Sequence, residues 1–143
     1  MIIVIDDREK QPFEFPGVDT ETARLETGDY TVKGFENEFA VERKSLDDLA
    51  RSVGTGRSKF EAEIRRAQQM NNFAVVIESS RRDAQAGNYY SQIHPNAVIL
   101  TVDKLPMKHR ILEFLLANNP DQAAQETLQR LDRWCFKSVS NEF

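Results

Sequence analysis

Two unbroken apolar runs, Met1-Ile2-Ile3-Val4-Ile5 and Phe73-Ala74-Val75-Val76-Ile77, restrict this chain more than any other feature. Successive side chains of a strand point to opposite sides of its sheet, so a strand that is apolar at every position has to be covered on both faces. Ile111 to Leu116 reads as another strand, and Glu78 at the end of the second run reads either as a strand-terminal acid or as a distant supporting residue of a site. Helical spacing fills the intervals. Phe60, Ile64 and Ala67 predict a helix from about Ser58 to Met70. After Asn119-Pro120-Asp121, a strong N-cap and first-turn signal, Ala124, Leu128, Leu131 and Cys135 step by four, three and four. With the hairpin described next, the order is strand, strand hairpin, helix, strand, helix, strand, helix. That order predicts a three-layer α/β domain with a mixed central sheet flanked by helices. The 143 residues correspond to one domain, 1–143, with one core.

Thr20 to Thr27 reads as a strand leading into Gly28-Asp29-Tyr30. Residues 31–40 then form two extended runs turning over the polar segment Gly34 to Asn37, the pattern of a hairpin. Such a hairpin carries Asp29 and Glu42 on paired or neighbouring strands and sets Lys44 on the same face as Glu42. Converging carboxylates are costly without a cation between them. Hard oxygen ligands partly open to water suit Mg²⁺ or Mn²⁺, which can polarise a phosphoryl oxygen, while a nearby lysine stabilises the charge that develops. A Glu-Arg-Lys run by itself is more often a solvated face. Asp6, at the end of the first apolar run, reads either as a turn residue or as a functional group at a strand's carboxyl end. Glu26 lies near Asp29 in sequence, with its side of the strand left open. Ser45 is a good N-cap for a helix to about Val53, with Asp47 and Asp48 in its first turn.

The net charge of −4 looks unsuited to a nucleic-acid partner until its distribution is considered. Residues 1–42 hold eleven acids against four bases, whereas residues 43–66 hold seven bases against four acids. An acidic segment able to supply ligands is thus followed by a basic one able to meet phosphate, although helix-surface pairs such as Glu61-Arg65 account for some of these bases. Gly54-Thr55-Gly56-Arg57-Ser58-Lys59 lacks the order of a nucleotide-binding loop and reads as a bend that brings Arg57 and Lys59 toward a phosphate backbone. Ser79 to His94 reads as a polar loop. Its Arg81, Arg82, Tyr89 and Tyr90 either grip single-stranded nucleic acid or belong to an ordinary surface loop with half-buried tyrosines. Residues 95–105 are open between strand and helix. His94 and His109 stand apart from other ligand types, which argues against zinc, and the lone Cys135 is expected as a buried thiol. No apolar run of transmembrane length and no signal peptide is evident, so a soluble, intracellular protein without a membrane partner is expected.

Glu42-Arg43-Lys44-Ser45-Leu46-Asp47-Asp48 resembles the signature of the XPF family of structure-specific endonucleases, and Asp6-Asp7-Arg8-Glu9 and Gly28-Asp29-Tyr30 resemble its upstream motifs in the same order. The resemblance implies a restriction-endonuclease-like nuclease fold, with residues 95–105 helical and Pro106 ending that helix. It also implies Asp29 and Glu42 as ligands of Mg²⁺ or Mn²⁺, Asp6 as a third, Lys44 and Arg43 as catalytic cations, and Asp48 as an acid that orients one of them. Arg8 and Glu9 belong to the floor of such a site, and Arg57 matches a less diagnostic part of the pattern. The implied activity is metal-dependent hydrolysis of phosphodiester bonds in branched, flap or fork DNA, in repair or recombination, in the cytoplasm or at the nucleoid. A catalytically silent binding subunit is the alternative, against which Asp29, Glu42 and Lys44 argue; the same chemistry on RNA or unbranched DNA is another. The sequence shows no helix-hairpin-helix repeats, which in this family implies a stand-alone nuclease served by a homodimer or partner protein. Trp134, Phe136 and Phe143 are the dimer contacts expected, unless Trp134 caps the chain's own core.

Overall fold

The computed structural model describes residues 1–140. Six strands form one mixed sheet in the order β2-β1-β3-β4-β5-β6. They are β1 (Ile2–Asp6), β2 (Asp19–Ala23), β3 (Tyr30–Val32), β4 (Phe39–Lys44), β5 (Asn72–Glu78) and β6 (Leu112–Ala117). The helices are α1 (Leu46–Val53), α2 (Arg57–Ala67), α3 (Arg81–Ala86), α4 (Pro95–Lys108) and α5 (Pro120–Ser140). The hairpin β3/β4 is antiparallel, as is β1/β3, whereas β1/β2, β4/β5 and β5/β6 are parallel.

Strand alternation explains the three layers. On β5, Phe73, Val75 and Ile77 join a core with Leu49 and Val53 of α1, Phe60 and Ile64 of α2, and Val98 and Val102 of α4. Ala74 and Val76, pointing the other way, join Ile3, Ile5, Tyr30, Val41, Phe13, Phe15 and the buried side of α5. Parallel crossovers are right-handed, so connections that step in opposite directions across a sheet must run over opposite faces. The segment joining β1 to β2 lays Phe13 and Phe15 on one face, and those joining β4 to β5 and β5 to β6 lay α1, α2 and α4 on the other. The two sets diverge beside β3. A crevice at the carboxyl ends of β1 and β4 follows from that divergence.

Four expectations need correction. The strand expected over residues 20–27 ends at Ala23, because the Leu25 N–H donates to the Asp6 carboxylate at 2.9 Å and its carbonyl accepts from Arg8 at 2.8 Å, which draws both groups out of the ladder. The expected loop 79–94 contains α3, capped by the Ser80 hydroxyl on the Asp83 N–H and ended by Gly87 in the left-handed region (φ 72°). Pro106 does not end α4, which reaches Lys108. A proline so near the carboxyl end disturbs only the final turns, and Val98, Val102 and Leu105 anchor the helix against the core. Trp134 is 5% exposed and packs on Phe39, ring centroids 5.6 Å apart, so it belongs to the intrachain core. Phe136 is exposed, and Phe143 lies outside the described residues. The other elements fall where periodicity put them, with Ser45 capping α1 and the Asn119 side chain accepting from the Gln122 N–H at 2.9 Å.

No helix among the described residues is long and apolar enough to cross a membrane.

Candidate active site

Gly28 makes the site possible. Its φ of 78° turns the chain sharply into β3, and a Cβ there would lie 2.7 Å from that of Ala40. Only glycine lets the backbone come this close to β4. The next residue is thereby sewn to both neighbouring strands: the Asp29 carbonyl accepts from the Asp6 N–H and the Asp29 N–H donates to the Val41 carbonyl, each at 2.8 Å. Asp29 Oδ2 also accepts from the Arg43 N–H at 2.8 Å, which fixes the carboxylate beside β4.

Along β4, Glu42 and Lys44 share a face and Arg43 takes the other. Glu42 and Asp29 line a cleft of about 310 Å³ together with Glu26 and with Glu63 and Arg66 of α2. Burial pushes the Asp29 carboxyl up to about 6, with Glu9 and Asp6 adding repulsion. Burial likewise holds the Glu42 carboxyl well above the usual range, reinforced by the charges of Asp29 and Glu63 and partly offset by Lys44. This has a consequence for stability. A carboxyl raised by folding stabilises the native state most below its unfolded value and loses that advantage as pH rises through its folded value. The metal-free domain is therefore expected to lose stability between pH ~4 and ~6, by on the order of 3 kcal/mol from Asp29. Chemical denaturation across that range checks it.

The expected third ligand is otherwise engaged. Asp6 is 2% exposed and accepts from Arg8 Nε at 2.8 Å, Arg8 Nη2 at 3.1 Å and the Leu25 N–H at 2.9 Å. Burial alone would raise its carboxyl, but these bonds hold it below the usual range. Among the described residues no three of His, Cys, Asp and Glu gather in metal-holding geometry. Through these bonds Asp6 clamps the loop that carries Leu25, and Arg8, expected to meet nucleic acid, is its partner.

Arg43 is also relocated. Its guanidinium lies 4.1 Å from the centroid of Phe13, donates to the Gln11 carbonyl at 2.6 Å and pairs with Glu9 and Glu78. It pins the loop after β1 on the face opposite Glu42. Glu78, the acid at the end of β5 whose role the sequence left open, is one of its anchors.

Lys44 lies 5.1 Å from the centroid of Phe60 in an adjoining cleft of about 350 Å³ with Asp48, Arg51, Lys59 and Glu63. Asp48 pairs with Arg51 rather than orienting Lys44 or Arg43. Arg57 pairs with Glu61 at 3.0 Å on the exposed side of α2. Arg81 is held by Asp103 through two bonds of 3.0 and 2.6 Å. The Tyr89 hydroxyl donates to the Ile93 carbonyl and its ring packs on the core, so the available aromatic is Tyr90, 93% exposed. Glu63 and Arg66 were missed. A signal existed for Glu63: it follows the buried Phe60 by three positions and precedes the buried Ala67 by four, which puts an acid beside the inward stripe of a largely basic helix.

A mixed six-stranded sheet covered on both faces, with a carboxylate pair and a lysine where the crossovers diverge, defines a three-layer α/β domain with a crevice at its carboxyl strand ends. The chain belongs to the ERCC4 domain family, whose model matches residues 5–128. Its fold is that of the XPF nuclease domain. XPF from Aeropyrum pernix is 20% identical with a TM-score of 0.70, over 92% of this chain and 60% of that one. The structure of XPF from Aeropyrum pernix in complex with DNA is 21% identical with a TM-score of 0.70, over 96% of this chain and 66% of that one. This chain therefore spans about two thirds or less of the solved chains it matches. No curated protein matches it.

Proposed function

We propose that this domain is an endonuclease that hydrolyses phosphodiester bonds in DNA, branched, flap or fork structures foremost, with Mg²⁺ or Mn²⁺ held by Asp29 and Glu42. The observation that carries the reading is the half-buried Asp29 and Glu42 in one cleft, with Lys44 on the same strand face as Glu42. Two half-buried carboxylates in one cleft, with the charge of Asp29 raising the carboxyl of Glu42, fit a divalent cation, because a cation relieves that repulsion. Two protein carboxylates also suffice for Mg²⁺, which keeps several waters and takes its remaining contacts from substrate phosphate. Such a cation polarises a phosphoryl oxygen and lowers the pKa of bound water. The chain's own residues do the rest. The Arg43 N–H holds Asp29 in place, and the Asp6–Arg8 clamp and the Arg43–Glu9–Glu78 network keep the neighbouring loops rigid around it. Lys44 places positive charge beside the carboxylates, where charge on the phosphate grows in the transition state. Lys59 and Arg51, in the cleft with Lys44, extend that positive surface along α1 and α2 toward the incoming backbone. Membership of the ERCC4 domain family and the likeness to an XPF solved with DNA support the same reading.

Labelled flaps, forks, splayed arms, plain duplex and RNA, each incubated with Mg²⁺, Mn²⁺ or EDTA, test it. Cleavage of branched DNA with either metal and none in EDTA is expected. Undiminished cutting in EDTA would remove the metal from the mechanism, and cutting of RNA alone would reassign the substrate.

A further inference from the structure

Glu63 has no role in the motifs that suggested the site, yet it borders both of its clefts. It faces Asp29 and Glu42 on one side and Lys44 and Lys59 on the other. Its helix is held to the sheet by Phe60, Ile64 and Ala67, so its backbone is fixed. Glu63 Oε2 is buried with no hydrogen-bond partner, and among the described residues neither Lys44 nor Arg66 closes an ion pair with Glu63. A third acid thus stands beside two that already repel each other. A buried carboxylate oxygen without a hydrogen-bond partner is costly, and a pure packing role would be met equally well by glutamine or methionine.

We propose that Glu63 is a positioning residue for the divalent cation: it orients Glu42 and accepts from the cation's water shell, without being one of the direct ligands. The inference rests on the metal-dependent reading of the site given above. Carboxylates just outside the ligand shell act in this way, by fixing the direct ligands and taking hydrogen bonds from bound water.

Calorimetric titration with Mn²⁺, alongside thermal unfolding of the metal-free protein, tests the proposal on the parent chain and four variants. Glu63→Gln keeps the side-chain shape and can donate to Glu42, so its metal-free melting temperature should equal or exceed the parent's. Its Mn²⁺ affinity should fall roughly tenfold or more. Glu63→Asp keeps the charge and should stay closer to the parent than Glu63→Gln does. Glu61→Gln removes the same charge from the outer side of the helix and should bind Mn²⁺ as the parent does. Parental affinity in Glu63→Gln overturns the proposal, since hydrogen bonding alone would then suffice. Equal losses in Glu63→Gln and Glu63→Asp, or in Glu63→Gln and Glu61→Gln, also overturn it, by pointing to shape or to general electrostatics. Asp29→Asn separates the role of Glu63 from the metal site itself. If the parent binds Mn²⁺, Asp29→Asn does not, and Glu63→Gln matches the parent, only the role of Glu63 fails. If the parent itself binds no Mn²⁺, the metal-dependent reading fails and takes this inference with it.

Discussion

Lys44→Ala is expected to bind Mn²⁺ at least as tightly as the parent while cleaving at least a hundredfold more slowly in a single turnover. The two effects separate because they come from different states. Metal affinity is supplied by anionic oxygens, and Lys44 sits close enough to Glu42 to favour its ionised form while also repelling a cation. Removing the ammonium leaves the carboxylates in place. The rate depends instead on charge that develops on the phosphate, and one well-placed contact to it is worth roughly 2.7 kcal/mol or more, about a hundredfold. Glu42→Gln should show the complementary pattern, with weak metal binding and negligible cleavage at any metal concentration the titration reaches. Lys44→Arg should not restore the rate, because a planar guanidinium cannot reproduce the position of the ammonium over Phe60. If Lys44→Ala lost metal binding, or cut at the parental rate, the lysine would not belong to the chemical step.

Gly28→Ala is expected to be the most damaging single-methyl change in the chain, at about 3 kcal/mol of unfolding free energy. Part of this cost, roughly 1–2 kcal/mol, is the strain of an alanine in the left-handed region. The rest, roughly 1–3 kcal/mol, is steric, because the new methyl would press on Ala40 Cβ at 2.7 Å and the Val41 carbonyl oxygen at 3.3 Å. Both neighbours belong to β4, immediately before Glu42, so relief of the clash displaces Asp29 from Glu42 as well. Gly34→Ala is the control. Gly34 also has a positive φ, 94°, but a methyl added there would meet nothing within 4 Å, so it should lose only the conformational part. Urea unfolding of both variants measures the difference, and equal losses would show that the approach to β4 is not what requires glycine at position 28.

Much of the architecture was legible because it depends on local and periodic properties. Unbroken apolar strands demand a layer on each face, Ser45 and Asn119 announce helix starts through their own side chains, and the spacing of Phe60, Ile64 and Ala67 marks an inward stripe. The pairing of Asp29 with Glu42 was legible for the same reason, since both belong to one hairpin and its strand faces alternate. What happens to a side chain after the chain closes is a different matter. Asp6 and Arg8 are two residues apart, but their mutual clamp exists because Leu25, far along the chain, presents its N–H and carbonyl to them. Arg43 leaves the cleft because alternation turns it toward Phe13, Glu9 and Glu78, which come from the first loop and from β5.

Alone, then, the sequence determined the layers, the hairpin and the carboxylate pair, all of which follow from spacing along one segment. Tertiary structure decided which charges are free. Arg8, Arg57, Arg81 and Asp48 each meet a partner carboxylate or guanidinium, two of them within one helix and one across α3 and α4. Glu63, from α2, is instead brought into the cleft of Glu42 with its Oε2 buried and without a hydrogen-bond partner. The Arg81–Asp103 pair and the place of Glu63 depend on distances between segments, and only the folded chain brings those segments together.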